Sequence, residues 1–287
     1  MREYIISTDS TADLPKDYLK KHKIFIHPLY YNIDGEVYGD ELILSPEEFY
    51  AKMRTGIMPT TMASNPEFVH AAFTKQVEEG LDVLHISFSS ALSGSCSNAT
   101  VTAREVCEEH PEARITVIDS CAASLGQGLL VHKAVMLKEQ GKSMDEVISW
   151  IVNNKDHICH QFTVDDLFHL HRGGRVSKTS AIIGTLIQVK PILHVDTEGR
   201  LIPLSNVRGR KKALTKLVDN MEEKIEGFEN DIVFISHGDC LEDAQFVADL
   251  IKERFGIQNV VINFTSPTIG SHSGPGTVAL FFMGKEK

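Results

Sequence analysis

The sequence lacks the features that mark secreted, membrane-spanning and disulfide-stabilised proteins. Its 287 residues contain no run of about 18 apolar residues, which disfavours a transmembrane helix. The first residues carry charges and no long apolar core, so no signal peptide is visible. The five cysteines are odd in number, scattered and free of any Cys-x-x-Cys pair. We therefore expect a cytoplasmic protein without a disulfide framework.

The sequence also lacks the phosphate-binding and nucleophile motifs of several large enzyme families. It has neither a P-loop nor a G-x-G-x-x-G segment, so no nucleotide site is visible. A G-x-S-x-G nucleophile elbow is missing as well. Ser93 or Ser95, Asp119 and His272 nevertheless occur in the order of one hydrolase triad. A serine hydrolase acting on acyl esters therefore stays open as an alternative.

One cluster of metal-binding side chains is present, but its spacing is unlike that of a known metal site. Its members, which fall within 15 residues and near Asp165 and Asp166, are His157, Cys159, His160, His169 and His171. The spacing matches no zinc pattern, and residues two apart on a helix point to different faces. We expect no metal at this cluster and no cofactor elsewhere.

Basic residues are the minority, and they concentrate in one segment. The chain has 29 Lys plus Arg against 39 Asp plus Glu, a formal net charge of -10. Residues 172–216 hold ten basic and two acidic residues, so this segment carries +8 and the remainder carries -18. The acidic total disfavours nucleic acid, whereas the basic segment predicts a local site for an anion or an acidic partner. Within it, Arg172–Gly173–Gly174–Arg175 combines two guanidinium groups with glycines that let the backbone approach a ligand closely.

Short apolar runs alternate with helical patterns, which is typical of an α/β protein. The predicted strands are residues 4–7, 23–31, 81–88, 115–118, 158–164, 192–195, 232–236 and 260–264. The predicted helices are residues 46–54, 66–76, 95–109, 122–140, 144–153, 210–226 and 241–255. This order predicts a largely parallel sheet in the N-terminal half, and Gly-containing turns at 32–37 and 195–201 predict antiparallel hairpins. We place a soft boundary between lobes 1–154 and 155–287, with residues near 55–80 a candidate for packing against the C-terminal lobe.

Three polar motifs are candidates for a ligand site. Residues 87–95 lead from a strand into a helix and are rich in serine, so their hydroxyls and the helix N-terminus suit a carboxylate or phosphate. Residues 270–277 surround His272 with three glycines and a proline, which predicts a rigid, irregular loop with a functional histidine. Thr60 and Thr61 place two hydroxyls before the helix at Pro66. The apolar segment 181–193 predicts core, or apolar walls for an anion with a long tail.

One short motif, Asp-Ser after a strand, occurs twice and forms a weak internal echo. Asp9–Ser10 and Asp119–Ser120 both stand at the end of a predicted strand. The simplest explanation is a helix N-cap after each strand. Both sites could also face one cleft, because ligands of parallel sheets collect beyond the carboxyl ends of the strands.

Taken together and in order, these motifs resemble the DegV family along essentially the whole chain. The matching features are Asp9–Ser10–Thr11, Thr60–Thr61, Ser89–Ser90–Ala91–Leu92–Ser93–Gly94, Asp119–Ser120 with Gly126 and Gly128, Arg172–Gly173–Gly174–Arg175, Lys190–Pro191–Ile192, Arg208–Gly209–Arg210–Lys211–Lys212 and Gly270–Ser271–His272–Ser273–Gly274–Pro275–Gly276. Each feature alone is weak, whereas the ordered set is specific.

The resemblance implies a two-lobed α/β fold with a ligand tunnel between the lobes. The N-terminal lobe would contain a mainly parallel sheet flanked by helices, and the C-terminal lobe would be mixed α/β. Characterised members are the fatty-acid-binding subunits of bacterial fatty acid kinase. They present the acyl carboxylate to a separate ATP-binding kinase subunit, which converts it to acyl phosphate. By this resemblance the chain would be a non-catalytic carrier.

The resemblance also assigns roles to particular residues. By motif position, Thr61, Ser93 and His272 would bind the fatty-acid carboxylate. Arg172 would lie near the head group, and Arg208 or Arg210 would serve the partner interface. The partners would be a long-chain fatty acid and the kinase subunit, without nucleic acid and with at most transient membrane contact. A lipid sensor without a kinase partner is the remaining alternative.

One stretch departs from the family pattern. The family usually continues its threonine with Ser-Gln-Pro, whereas Thr61 is followed here by Met62–Ala63–Ser64–Asn65–Pro66. Two polar side chains are thus replaced by Met62 and Ala63. We expect these two residues to alter chain selectivity or the mouth of the pocket.

Overall fold

A computed structural model describes residues 2–165, 167–177 and 188–287. The strands are β1 (Tyr4–Asp9), β2 (Phe25–His27), β3 (Tyr30–Ile33), β4 (Glu36–Tyr38), β5 (Thr60–Met62), β6 (Asp82–Ser87), β7 (Ile115–Asp119), β8 (Ile158–Thr163), β9 (Val189–Val195), β10 (Leu201–Arg208), β11 (Val233–His237), β12 (Val260–Phe264) and β13 (Val278–Met283). The helices are α1 (Lys16–Lys21), α2 (Pro46–Arg54), α3 (Pro66–Glu78), α4 (Ser95–Glu109), α5 (Leu125–Glu139), α6 (Met144–Asn154), α7 (Phe168–Arg172), α8 (Arg210–Lys224), α9 (Leu241–Phe255) and α10 (Pro267–Ser273). Asp166, Lys178 and most of the apolar segment 181–193 fall outside the described residues. Within the described ranges, no helix is both long and apolar enough to cross a membrane.

The N-terminal half forms a four-stranded parallel sheet, which confirms the prediction from alternating strands and helices. The strand order is β2-β1-β6-β7, and every neighbouring pair is parallel. Helices α3 and α4 pack on one face through a cluster that includes Val69, Phe73 and Val106. The segments that follow β1, β6 and β7 leave the sheet at one edge, because these strands run in the same direction.

The C-terminal half forms a six-stranded mixed sheet. Its order is β10-β9-β8-β13-β11-β12, with antiparallel pairs except for β11 and β12. The predicted hairpin at 195–201 is confirmed, because Val195 of β9 pairs with Leu201 of β10. Strand β13 is buried along its whole length in the middle of the sheet. The sequence did not reveal it, because a short continuous apolar run has no period that separates strand from helix.

The other three described strands form a small antiparallel sheet of order β4-β3-β5. The hairpin at 32–37 is confirmed, with Asn32 paired to Val37. The single strand predicted over 23–31 is wrong, because β2 belongs to the parallel sheet and β3 to the small one. Pro28 lies between them and has no N–H to donate to a ladder, which explains why pairing stops there.

Helix α5 lies between the two large sheets, and this position explains its composition. It contacts β1 and β6 on one side and β8, β11 and β13 on the other. Ten of its residues, from Leu125 to Val135, are buried, including two glycines and a glutamine. A helix covered on both sides needs no polar face over the covered length, so the residues up to Val135 are mostly apolar or small. It begins at Leu125 rather than Ala122, because residues 122–124 form the turn that enters it.

The strands separate along the chain near the proposed lobe boundary. The parallel and small sheets use residues before 120, and the six-stranded sheet uses residues after 157. Helix α2 nevertheless packs toward the second group, since the Tyr50 hydroxyl donates to the Thr265 carbonyl at 3.1 Å. Helix α3 instead packs on α4 and β6 of the parallel sheet. The division at residue 154 stays a prediction.

Candidate functional site

A cavity with a volume of about 190 Å³ lies between the parallel sheet and the six-stranded sheet. One wall comes from the segment after β6, including Phe88 and Leu92, and the opposite wall from Phe162, Ala279 and Phe281 of the mixed sheet. Polar side chains also line it, namely Thr61, Ser93, Ser124, His160, Arg175, Ser236, Thr265, Thr268, His272, Ser273 and Thr277, and a polar cluster is formed where Thr61, His272 and Arg175 come together. The cavity therefore combines apolar walls with a polar cluster.

Thr61 and His272 meet directly at this polar cluster. Thr61 Oγ1 and His272 Nε2 are 2.7 Å apart, although the residues are 211 positions apart in the chain. Burial, and then the nearby Arg175 and Arg172 guanidinium groups, lower the pKa of His272 to about 4. The imidazole is therefore neutral at pH 7 and carries one ring proton.

His272 lies in the last turn of helix α10, so the prediction of an irregular loop around it is wrong. Pro267 opens this short helix at a position where its missing N–H costs nothing, and Gly274 closes it with a φ of 78°. Gly173, in the turn after α7, packs against the histidine ring. A Cβ built on Gly173 would overlap His272 Nδ1. Gly173 thus makes room for His272, whereas the glycines beside the histidine make room for other side chains, Gly274 for His169 and Gly276 for Asp165.

The serine-rich segment 87–95 divides its hydroxyls between the cavity and the framework. Ser93 lines the cavity, and its Oγ lies 2.9 Å from Ser95 Oγ. Ser95 Oγ also accepts from the Ser64 N–H at 3.1 Å, which ties the segment after β5 to the start of α4. Ser89 Oγ instead donates to the Gly199 carbonyl at 2.9 Å. Only part of the predicted cluster therefore faces the ligand space.

The carboxylates of the Asp-Ser echo hold this segment rather than cap a helix. Asp9 accepts from the Ser87 hydroxyl at 3.0 Å and from the Phe88 N–H at 2.6 Å. Asp119 accepts from the Ser90 N–H at 3.2 Å on the other side. No side-chain cap bond forms at Asp9, so the N-cap explanation is wrong there. The two strands that flank β6 thereby fix the backbone after β6.

Arg172 and Arg175 brace the cavity through backbone carbonyls. Arg172 Nη2 donates to the carbonyls of Pro59 and Ser271 at 3.0 and 3.1 Å, joining the approach to β5 with α10. Arg175 donates from Nε and Nη2 to the Leu92 carbonyl at 3.2 and 2.8 Å, and from Nη1 to the Gly173 carbonyl. Of the two, Arg175 lines the cavity. The Arg-Gly-Gly-Arg motif predicted both guanidinium groups near one anion, whereas the family resemblance named Arg172 alone for the head group.

Arg208 and Arg210 differ in their surroundings. Arg208 ends β10 and is exposed. Arg210 begins α8, and its guanidinium pairs with Asp243 at 2.8 Å and donates to the Gly276 carbonyl at 2.6 Å. Met62 and Ala63, the departure from the family pattern, both line the cavity, and Met62 is exposed at its rim. The roles of these residues stay predictions.

The side chains of a hydrolase triad do not contact one another in the way that such chemistry requires. His272 Nε2 meets Thr61, and its Nδ1 has no hydrogen-bond partner in the described part of the chain. Asp119 accepts from the backbone of Ser90 and Cys121. A triad needs the histidine bonded to both the serine and the acid. Among the described residues, no group of three or more His, Cys, Asp or Glu side chains could hold a metal ion.

Comparison with known proteins supports a single family. The model of the DegV family, described as "Uncharacterised protein, DegV family", matches residues 4–285. A DegV domain-containing protein of Clostridium perfringens is 43% identical over 289 residues, covering 100% of this chain and 99% of the relative. A second one, from Lactococcus lactis, is 36% identical and covers 98% of both chains.

Several solved structures with this fold are of proteins described as binding fatty acids. A fatty-acid-binding DegV family protein from Thermus thermophilus has a TM-score of 0.87 and 30% identity, covering 99% of this chain and 100% of that one. A stearic-acid-binding protein from Eubacterium ventriosum has a TM-score of 0.91 and 27% identity over 98% of both chains. These values match the whole fold, including both large sheets. The chain belongs to the DegV family.

Proposed function

We propose that the protein binds a long-chain fatty acid, with its carboxylate at Thr61, Ser93 and His272 and its tail along the apolar walls. The observation that carries this proposal is the cavity itself, which joins a polar cluster to apolar walls between two sheets. The relatives described as fatty-acid-binding proteins support it. A carboxylic acid with a long hydrocarbon tail has both properties that this lining matches.

The tail would supply most of the affinity. Burial of roughly 14 to 17 methylenes at about 0.8 kcal/mol each gives on the order of 11 to 14 kcal/mol before ordering costs. The carboxylate adds specificity, because a buried charge without hydrogen bonds costs several kcal/mol. Its partners must therefore be donors that are already in place.

The neutral His272 is suited to that task. With its ring proton on Nε2, it donates to Thr61 Oγ1, and the Thr61 hydroxyl keeps its own proton for the carboxylate. Ser93 offers a second hydroxyl in the same cavity. Arg175 adds positive potential, while three of its nitrogens are held by backbone carbonyls. The carboxylate would thus be stabilised without a bidentate arginine pair, which leaves its oxygens able to react.

We further propose that the bound carboxylate is presented to a separate ATP-binding kinase subunit, which converts it to acyl phosphate. A role as carrier fits hydroxyl donors that solvate the carboxylate without attacking it. The exposed Arg208 offers a charge at which a partner can engage. A cytoplasmic location is proposed as well, supported by five free cysteines, three of them buried.

The test begins with the purified protein as isolated. Solvent extraction and mass spectrometry should recover a fatty acid, and the delipidated protein should bind added palmitate. Recovery of no acyl chain, together with no binding of added fatty acid, would overturn the proposal. A serine-directed fluorophosphonate probe serves as control, and labelling of Ser93 or Ser95 would favour a hydrolase. Addition of a fatty acid kinase subunit and ATP should give acyl phosphate, and binding without phosphorylation would remove the kinase step alone.

A further inference from the structure

A buried carboxylate, with no cationic partner in the described ranges of the chain, lies at the junction of the two large sheets. Asp13 follows β1 in the left-handed region, with a φ of 54°, and its side chain is buried. Its carboxylate accepts from the Ser266 N–H at 3.1 Å and from the Ser124 hydroxyl. Its carbonyl accepts from the Asn263 amide at 2.7 Å. In the part of the chain that the structure describes, no ion pair involves this carboxylate.

These contacts connect Asp13 to the cavity from two sides. Ser124 precedes α5, lines the cavity, and lies 2.8 Å from the hydroxyl of Ser236, which also lines it. Ser266 precedes α10, the helix that ends with His272. His272 lies six positions after Ser266 along this helix, a rise of roughly 9 Å. Asp13 therefore lies about one short helix away from the polar cluster.

The electrostatic surroundings leave Asp13 as the group that changes charge near neutrality. Burial raises the pKa of Asp13 to about 7, against the opposing hydrogen bonds from Ser124 and Ser266. Tyr50 of α2 is nearby, and burial raises the pKa of its hydroxyl far above neutrality. His237, at the end of β11 beside Ser236, has a pKa lowered by burial.

Two charged groups of the same chain segment share an outer cavity with Asp13. Asp9 of β1 and Lys16 of α1 line a neighbouring outer cavity together with Asp13. The pKa of Asp9 is lowered because His85 and the Phe88 N–H outweigh its burial. Lys16 is exposed. None of these groups neutralises an ionised Asp13 inside the protein.

We propose that Asp13 is a positioning residue whose proton is coupled to the ligand's charge, so that the cavity binds an anionic head group most tightly when Asp13 is protonated. This inference rests on the proposed fatty-acid binding. An ionised Asp13 and a bound carboxylate would be two like charges in one water-poor region, each of which disfavours the other. By linkage, ligand binding near pH 7 should take up a proton, and affinity should fall as the pH rises through 7.

The size of the effect follows from the distance. Two unit charges about 10 Å apart at an effective dielectric constant of about 20 give roughly a tenfold change in affinity. A fatty alcohol of the same length has no charge, so its affinity should not change with the protonation of Asp13.

The test compares wild type with Asp13→Asn, using palmitate below its aggregation concentration at pH 6, 7 and 8. Wild-type affinity should fall about fivefold from pH 6 to pH 8, because a fraction of each protonation state remains at both ends of this range, and the fall should be absent in Asp13→Asn. Any titration of the ligand itself affects both proteins, so the difference between them isolates Asp13. Hexadecanol should bind both proteins with the same pH profile.

Calorimetry of the wild type alone covers the case in which the variant fails to fold. Palmitate binding at pH 7, measured in two buffers of different ionisation enthalpy, should show net proton uptake, whereas hexadecanol should show none. Equal pH profiles for wild type and variant, or no proton uptake, would overturn the inference while leaving fatty-acid binding intact. Absence of palmitate binding at every pH would instead overturn the proposed function.

Discussion

At the residue scale, the site depends on hydrogen bonds between side chains that are remote in sequence. Thr61 comes from β5 of the small sheet and His272 from α10, and their bond forms inside the cavity lining. A hydrogen bond to a charged group contributes about 1.5–3 kcal/mol. The loss of one donor should therefore be visible in binding long before it is visible in folding.

We expect Thr61→Val, Ser93→Ala and His272→Ala each to weaken palmitate binding roughly 10- to 100-fold. Thr61 and Ser93 each supply a hydroxyl donor to the carboxylate, and His272 donates to Thr61 Oγ1 so that the Thr61 proton stays available for the ligand. Acyl phosphate formation with a kinase subunit should fall in parallel. The matched control is Thr60→Val, since Thr60 is the exposed neighbour of Thr61 on the same strand. Isothermal titration gives the affinities, and thermal unfolding midpoints verify folding. Wild-type affinity in all three variants would show that the carboxylate lies elsewhere.

At the scale of elements, two short helices fit together through a glycine. The turn after α7 brings Gly173 against the ring of His272 on α10. Gly173 has a φ of -75°, so an alanine suits its backbone and only the space is missing. The sequence predicted a glycine-rich approach to a ligand, whereas the structure shows that this glycine accommodates a protein side chain.

Gly173→Ala should lower the free energy of unfolding by about 1–3 kcal/mol and weaken palmitate binding, because the added methyl group displaces His272. In a His272→Ala background the same substitution should cost far less stability. Chemical denaturation of the four proteins of this cycle measures the coupling. Gly94→Ala is the control, since a Cβ there meets nothing within 4 Å. An equal cost in both backgrounds would contradict the collision with His272.

At the scale of the whole molecule, the basic segment serves both the framework and the surface. Arg172, Arg175 and Arg210 bond to carbonyls or acids of other elements, whereas Arg208 is exposed at the end of β10. Pairing with Asp243 offsets the charge of Arg210. The neutral carbonyls that hold Arg172 and Arg175 fix the positions of these two side chains and leave their charges in place. A charge that is already paired contributes little to steering.

Arg208→Ala should weaken engagement of a kinase subunit by lipid-loaded protein and reduce its dependence on salt, because screened surface charges act mainly at low ionic strength. Its thermal midpoint and palmitate affinity should match the wild type. Arg210→Ala should instead lower the thermal midpoint, since Arg210 joins α8 to Asp243 and Gly276. Surface plasmon resonance at two salt concentrations and thermal unfolding separate these effects. Unchanged engagement by Arg208→Ala would remove Arg208 from the interface.

The sequence alone determined the α/β class, the positions of most helices and strands, and the polar motifs. Each of these is local, because a helix period, a capping serine or a glycine beside a histidine can be recognised from a few neighbouring residues. Even the buried helix α5 was predicted, over residues 122–140, although the first three of these residues belong to the preceding turn.

Only the tertiary structure decided which motifs meet. Thr61 and His272 are in contact although they are 211 positions apart, and the unpredicted β13 lies inside the six-stranded sheet. The Asp9 and Asp119 carboxylates accept hydrogen bonds from the backbone after β6 instead of capping a helix. It also left Asp13 buried between two sheets, with no counter-ion among the residues that the structure describes. Such contacts depend on how the sheets pack and on which side chains are buried together. Neither property can be derived from the periodicity of the sequence.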